Sequence, residues 1–512
     1  MRVEIMDTTL RDGEQTTGVS FLSHEKLLIA RTLLKDLKVD RVEVASARVS
    51  AGEKESVREI CSWAARHDML DRIEVLGFVD GGTSLQWILD CGCRTMNLLC
   101  KGSLRHCTQQ LGKTPAEHFA DIRQAVFDAT AKGVSANLYL EDWSNGMKDS
   151  EEYVFQLMGH LVDCGVKRFM LPDTLGVLSP CQVSVFIKKM VEAFPGIHFD
   201  FHAHNDYDLA AANTLAAVKA GCEGVHTCVN GLGERAGNAP LASVQAILKD
   251  LAGVETGIDE GRLHEVSRMV ASYSGVPIPP NRPVVGEYVF TQVAGVHADG
   301  DKKDNLYCND LIPERFGRKR EYALGKNSGK ANILKNLENL GLELTPEQTR
   351  RVTERIIELG DKKEVVTADD LPYIVSDVLK HDSPEEDRVK LLSYMVTTAY
   401  GLKPIASVKL EIDGEIYEGQ ASGDGQYDAF VRAVRHIYKD NMHTAFPWLT
   451  DYVVSIPPGG RTDALVQTTI YWDWNGRVIH TRGLDADQVE AAIKATLKML
   501  NILAVENKEN NK

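Results

Sequence analysis

The sequence predicts an α/β fold: a (β/α)8 TIM barrel, followed by small helical linker subdomains and a C-terminal α+β domain. Three observations carry this. Short β-branched runs alternate with longer segments of helical apolar spacing through roughly the first 250 residues. The alternation stops near Gly253. From Ala406 onward the pattern changes again, to hairpin-like strands and two helices. The expected boundaries are 1–255 for the barrel, 256–403 for the helical linker and 404–505 for the C-terminal domain, with 506–512 a polar, frayed tail.

Taken in order, the expected barrel strands are Val3–Asp7, Arg41–Ala45, Arg72–Val79, Thr95–Cys100, Ala136–Glu141, Arg168–Asp173, His198–His204 and Gly224–Asn230. Helical patterns between and after them cover His24–Leu37, Lys54–His67, Ala116–Lys132, Glu151–Cys164, Gln182–Phe194, Leu209–Ala220 and Leu241–Leu251. Strand counting does not show closure, so an open doubly wound sheet is the alternative. The linker holds helical stretches, a Pro-rich piece from Pro277 to Pro283, and the loop Gly325-Lys-Asn-Ser-Gly-Lys330. The last domain reads as two loosely repeated strand–strand–helix units. The first has strands Ser407–Ile412 and Glu415–Glu418 with helix Tyr427–Tyr438. The second has strands Tyr452–Ile456, Leu465–Trp472 and Val478–Arg482 with helix Ala486–Leu500.

With 43% hydrophobic and 26% charged residues in 512, the chain has the composition of a soluble globular protein. Its formal charge of −15 argues against binding nucleic acid or an anionic membrane, and the basic patch from Arg315 to Arg320 is short. The ten cysteines lie between Cys61 and Cys308 at irregular spacing without a CxxC, the pattern of reduced thiols in a cytosolic protein. The N-terminus lacks a signal-peptide core, and no apolar run approaches bilayer length. The expected location is cytoplasmic.

Barrel chemistry sits at the C-terminal ends of strands and in the loops that follow. There the sequence concentrates its polar residues: Arg11 and Asp12 after the first strand, Glu141 after the fifth, Asp173-Thr174 after the sixth, and Asn230 to Asn238 after the eighth. The sharpest feature is His202-Ala-His204. Side chains alternate along a strand, so both imidazoles point the same way, into the barrel mouth. With a carboxylate from another strand top, Asp12 being the choice, they form a facial set for a divalent ion and a chelating substrate. A pair of hydrogen-bonded core histidines is the bland alternative. Arg11 is either a structural ion-pair partner of Asp12 or Asp173, or a donor to an oxygen on which negative charge develops. Glu141 is either a solvated loop carboxylate or an acid/base group. Two Gly-containing segments are decoys: Gly231–Gly237 is spaced wrongly for a dinucleotide fingerprint, and Gly325–Lys330 falls one residue short of a Walker A motif.

Three segments, Asp7-Thr-Thr-Leu-Arg-Asp-Gly-Glu-Gln15, His202-Ala-His-Asn-Asp206 and Gly233-Glu-Arg-Ala-Gly-Asn238, resemble the signatures of a known family. It is that of the acetyl-CoA-dependent Claisen-condensing enzymes, the 2-isopropylmalate, homocitrate and citramalate synthases. The likeness spans almost the whole chain, because Gly423-Asp-Gly-Gln-Tyr-Asp428 and Gly459-Gly-Arg-Thr-Asp463 resemble the family's amino-acid-sensing C-terminal domain. Within the family it is nearest the citramalate synthases, on Glu141-Asp-Trp-Ser-Asn145, His204-Asn-Asp-Tyr-Asp208 and Gly295-Val-His-Ala-Asp-Gly-Asp-Lys302.

The resemblance implies a metal ion held by Asp12, His202 and His204, with Asn238 in or near the shell, and a site of two imidazoles and one carboxylate suits zinc, manganese, magnesium or cobalt. It implies a 2-keto acid chelating that ion, with Thr174 bonded to the keto-acid carboxylate and Arg11 steadying the alkoxide. Glu141 and His297 would relay the methyl proton of acetyl-CoA, His297 reaching into the partner subunit of a homodimer. Asp299, Asn305 and Tyr307 would contact CoA or that relay, and an amino acid, isoleucine first, would act at the C-terminal domain.

Two departures from the isopropylmalate synthases bear on the substrate: Tyr207-Asp208-Leu209 replaces Leu-Gly-Leu, and strand three ends Leu76-Gly-Phe-Val-Asp80 without the usual His and Thr. Leu76, Leu99 and Tyr139 then face the keto acid, unless they are ordinary barrel packing. The triplet favours pyruvate, hence citramalate, over 2-ketoisovalerate. A CoA-independent metal-dependent lyase or aldolase and a catalytically idle amino-acid sensor are the readings from other classes.

Overall fold

The structure is a computed structural model. It describes residues 2–512 except 294–305, 307, 325–329, 341, 343, 362–365, 367–370, 372–373, 376–377, 379–387, 456–465, 486 and 510–512. The chain forms two compact units, Met1–Phe290 with Cys308–Arg320, and Thr291–Tyr307 with Glu321–Lys512.

In the first unit β1 (Glu4–Asp7), β2 (Arg41–Ser46), β3 (Ile73–Phe78), β4 (Thr95–Lys101), β5 (Ser135–Glu141), β6 (Phe169–Asp173), β7 (Phe199–Ala203) and β8 (Gly224–Thr227) form a closed parallel barrel. Closure is carried by β1 on β8, in register from Glu4↔Gly224 to Asp7↔Thr227, which excludes the open sheet. Expected helices are present within a few residues, several started by reciprocal caps such as Thr114 with Glu117 and Ser179 with Gln182. Helix Thr83–Asp90 was not expected from the sequence. It is only two turns long and starts from Gly81 and Gly82, both at positive φ, so it offers too few periods to register as a pattern.

Alternation along each strand divides the barrel residues into two sets. Ile5, Val42, Val44, Val75, Leu98, Leu138, Leu171, Phe201 and Val225 join one large apolar cluster with the surrounding helices. The other set faces inward and is mostly polar: Arg41, Glu43, Glu74, Asn97, Asn137, Asp200 and His226 are all buried. Several of them pair across the barrel. Arg41 donates to Glu74 Oε1 at 3.0 Å and to Asp200 Oδ2 at 2.5 Å, joining β2 to β7. Glu43 Oε1 accepts from Asn97 at 2.7 Å, and Asn97 Oδ1 from Asn137 at 2.9 Å. Removing one member of such a set leaves a buried unpaired charge, a loss of about 3–5 kcal/mol. Above these residues Met6, Leu76, Tyr139 and Met170, with Leu99 beside them, make a small separate apolar cluster.

The basic patch is absorbed into the same unit. Arg315 donates to both oxygens of Glu260, at 2.6 and 2.7 Å, and to Asp250 at 2.7 Å. Arg318 donates to the carbonyls of Gly286 and Glu287. Burial would raise the Glu260 carboxyl, but hydrogen bonds from Arg315, Lys249 and Gln245 lower it to about 2. A depressed folded-state value stabilises the fold above the unfolded value near 4.5 and loses that contribution as pH falls toward 2. Glu260→Gln is therefore expected to lower the urea midpoint at pH 6, with the gap to the parent shrinking by pH 3. Equal gaps at both pH values would assign the effect to packing. The barrel cysteines, Cys61 through Cys228, are free thiols.

In the second unit the short strands β9 (Thr291–Gln292) and β10 (Glu321–Tyr322) pair in parallel, and helices Lys330–Asn339 and Pro346–Asp361 share a small apolar cluster. The C-terminal part is a repeat of three strands and a helix. Strands β11 (Val389–Thr397), β12 (Ile405–Ile412) and β13 (Glu415–Ser422) form one antiparallel sheet with helix Gln426–His436. Strands β14 (Trp448–Ser455), β15 (Val466–Trp474) and β16 (Arg477–Asp485) form the other, with helix Gln488–Glu509. The first unit of the repeat thus has a third strand, β11, upstream of residue 404 and missing from the sequence reading. Both helices press on a strand glycine: a Cβ on Gly419 would lie 2.5 Å from Ala433 O, and one on Gly483 1.8 Å from Ala491 O. Among the described residues no helix is long and apolar enough to cross a membrane.

Candidate active site

The loop after β1 turns tightly because Thr8 O accepts from the amides of Arg11, Asp12 and Gly13, which presents the first two side chains to the barrel mouth. Thr9 Oγ1 accepts from Val229 N at 2.8 Å and ties this loop to the one after β8. That second loop supplies Asn238, and its glycines serve this end. A Cβ on Gly233, at φ +149°, would lie 2.2 Å from Asn238 Nδ2, and one on Gly237 2.0 Å from Gly231 O. The resemblance of this segment to a nucleotide fingerprint is a by-product of chain folding around an amide.

Asp12, His202 and His204 converge, each offering a ligand atom within 4.8 Å of the others, the one such group among the described residues. His202 Nε2 lies 3.2 Å from Asp12 Oδ2 and 3.4 Å from His204 Nε2. Asn238 is bridged to His204 through the backbone. Asp12 Oδ1 and Asn238 Oδ1 are buried and find no hydrogen-bond partner among the described residues. Buried polar atoms are otherwise almost always paired, so this donor set of imidazole, carboxylate and amide oxygen fits a divalent ion. Burial would raise the Asp12 carboxyl, but Arg11 and His202 hold it well below the usual range. Burial, then His202, pushes His204 down to about 4, so it stays neutral and able to ligate near pH 7.

Arg11 is held on three sides, by Glu43 Oε2 at 2.6 Å, Asp12 Oδ2 at 3.0 Å and Tyr139 OH at 3.3 Å. Asp173 is not its partner, because that carboxylate accepts from the amides of Val177 and Leu178, both at 3.0 Å. Burial opposes the Arg11 charge, yet Asp12 and Glu43 raise its pKa well above the ordinary value. Glu141, at the end of β5, pairs with Lys101 at the end of β4. Thr174 Oγ1 accepts from Asp142 N at 2.9 Å, leaving its hydroxyl proton for another acceptor. Leu76, Leu99 and Tyr139 are brought together, over Met6 and Met170. His297, Asp299, Asn305 and Tyr307 lie outside the described residues.

Glu43, Lys101, Asp200 and His226 were not singled out from sequence. The signal was present: each is a polar residue at an inward, period-two position of an otherwise apolar parallel strand.

Residues 2–270 match the HMGL-like family. The chain belongs to that family. Residues 284–364 match the homocitrate synthase post-HMGL domain-like family, and 365–504 the LeuA allosteric (dimerisation) domain. This HMGL-like chain is 37% identical over 98% of its length to a probable 2-isopropylmalate synthase of Methanopyrus kandleri, covering 98% of that protein. It is 35% identical over 98% of its length to the (R)-citramalate synthase of Methanocaldococcus jannaschii, covering all of it. The 2-isopropylmalate synthase of the same organism is 34% identical over 99% of the chain, covering 96% of that protein. These full-length relatives place the HMGL-like chain among the 2-isopropylmalate and citramalate synthases, as its motifs imply.

Proposed function

We propose that the protein condenses acetyl-CoA with a 2-keto acid and hydrolyses the thioester, and that the keto acid is pyruvate: pyruvate, acetyl-CoA and water give (R)-citramalate and CoA. The observation that carries this is the joint placement of Asp12, His202 and His204 beside Arg11 and beside Tyr139, which packs with Leu76 and Leu99. The names of the full-length relatives support the reaction class.

Asp12, His202 and His204, with Asn238 Oδ1, would hold the divalent ion, which supplies Lewis acidity to the keto acid's carbonyl and carboxylate oxygens. The Arg11 guanidinium donates to the keto oxygen as it gains negative charge. The free proton of Thr174 is donated to the carboxylate of the keto acid. Glu141 and the partner subunit's His297 relay the methyl proton of acetyl-CoA, and Lys101 holds the Glu141 carboxylate in place. The new bond joins that methyl carbon to the keto carbon, and water cleaves the thioester, releasing the CoA thiol. In this reading residues 1–255 carry the chemistry, 256–403 bring His297, Asp299, Asn305 and Tyr307, and the C-terminal domain carries a homodimer contact and an effector site for isoleucine. The protein works in the cytoplasm.

The second reading, 2-isopropylmalate synthase acting on 2-ketoisovalerate, is favoured by the 37% identical relative of that name. The two keto acids differ by two methyl groups, and admitting them would force the apolar wall out of its rotamers, costing about 1–3 kcal/mol or roughly 5–150-fold. Thiol release from acetyl-CoA with pyruvate, 2-ketobutyrate and 2-ketoisovalerate decides between them. Pyruvate should give the highest kcat/KM, and Leu76→Ala or Leu99→Ala should gain on 2-ketoisovalerate while losing on pyruvate. A parent enzyme that prefers 2-ketoisovalerate overturns the citramalate reading. Release with none of the three overturns the condensation itself.

Deleting residues 388–512, the complete repeat including β11, is expected to abolish inhibition by isoleucine, since coupling between two sites ends when one is removed. Inhibition that survives places the effector site elsewhere.

A further inference from the structure

We infer that His226, on β8, is a positioning residue: anchored by Asp200, its imidazole fixes the Tyr139 hydroxyl so that the phenolic oxygen faces Arg11. The inference rests on the reading of Arg11 given above.

The proton order can be followed outward from the barrel's buried ion pair. Asp200 Oδ2 accepts from Arg41 at 2.5 Å, and Asp200 Oδ1 lies 2.8 Å from His198 Nε2. Paired with a guanidinium, this carboxylate can only accept hydrogen bonds. His226 Nε2, 3.1 Å from Asp200 Oδ2, therefore carries the proton. In the neutral ring Nδ1 is then a lone pair, and it lies 2.7 Å from Tyr139 OH, so the phenol donates to it. The phenolic oxygen keeps its own lone pairs for Arg11, whose NH2 group is 3.3 Å away.

Geometry around the ring leaves it little choice. His226 and Tyr139 are both buried, and the His226 ring packs edge-on to Tyr139 at 5.4 Å and to His202 at 5.4 Å. Without the Nδ1 acceptor the phenol would have to turn its proton elsewhere, and its oxygen would no longer be held toward the cation it now accepts from. Arg11 would keep Glu43 and Asp12 as partners and lose the contact that sets its third edge. The charge of the guanidinium would remain and its aim would change, an effect on the transition state more than on binding.

The test is a double-mutant cycle on the full-length protein, read by thiol release with pyruvate, alongside metal affinity. His226→Phe and Tyr139→Phe should each lower kcat by about tenfold or more, with the keto-acid KM and the metal Kd moving less than about threefold. The double variant should be no slower than the slower single one, because both act through one contact. His226→Gln, which can still donate to Asp200 and accept from Tyr139, should recover part of kcat. Losses that multiply in the double variant, or an unchanged kcat in folded His226→Phe, overturn the inference. A second readout needs no activity. In the 15N-histidine-labelled parent at neutral pH, the His226 signals, assigned by their loss in His226→Gln, should show protonated Nε2 and bare Nδ1. A proton on Nδ1 overturns the inference even if His226→Phe does not fold. If no 2-keto acid releases thiol, the proposed reaction fails, and this tautomer still decides whether His226 orients Tyr139.

Discussion

Replacing His202 or Asp12 by alanine is expected to abolish thiol release at limiting metal and to weaken divalent-ion binding by well over the roughly 10–100-fold lost when only a supporting group is removed. Each of the two supplies one ligand atom to a group that holds three, so neither can be replaced by the other members. The electrostatics sharpen this. His202 Nε2 is 3.2 Å from Asp12 Oδ2, and the Asp12 carboxylate is also neutralised by Arg11 at 3.0 Å. In Asp12→Ala the site loses its only anionic ligand and Arg11 keeps Glu43 alone as a counter-charge beside an incoming dication, which makes that variant the weaker binder of the two. Metal content after dialysis, and titration calorimetry with zinc and manganese, measure this without reference to turnover. Chelation of the parent should reproduce the loss of activity, and adding back metal should restore it. Full metal affinity in either variant would mean that the cluster is a set of hydrogen-bonded core residues.

The HxH pair was legible because a strand has period two, so the spacing alone puts both imidazoles on one side. Asp12 was legible as a residue of a strand-end loop. What could not be read was which groups stand opposite across the barrel. Arg11 pairs with Glu43, 32 residues away on β2, where the sequence offered Asp173 as readily. Tyr139 meets His226, 87 residues on, and Arg41 meets Asp200, 159 residues on. Such pairs depend on closure and shear of the barrel, which periodicity does not encode. Strand β11 was lost for a different reason. Val389–Thr397 is half-exposed or exposed at every residue but Val389, and its pairing with β12 shifts register between Leu391 and Ser393, so it lacks a clean alternation. Thr83–Asp90 and β11 are both elements whose existence depends on neighbours already in place.

The other large effect concerns Arg11. Arg11→Lys is expected to lower kcat by about 10²–10³-fold while the keto-acid KM changes little, the signature of a donor used mainly in the transition state. Lysine is the informative substitution because of what lies beneath. Glu43 is fully buried; burial pushes its carboxyl up, and Arg11, 2.6 Å away, opposes that rise by pairing with its negative charge. Arg11→Ala would strand that charge, adding a folding loss of about 3–5 kcal/mol that confuses any reading of rate. A lysine keeps one positive charge near Glu43 and Asp12 but lacks the planar fork that reaches Glu43, Asp12 and Tyr139 at once. Its melting temperature should therefore stay much closer to the parent than that of Arg11→Ala, while its kcat stays low. Added guanidinium should raise turnover of Arg11→Ala, wherever that variant is folded, and leave Arg11→Lys unmoved, since only the former has room for the ion. A rise in KM with kcat preserved in Arg11→Lys would make the guanidinium a ground-state clamp on the keto acid. Equal melting losses in the two variants would show that Glu43 does not depend on the charge above it.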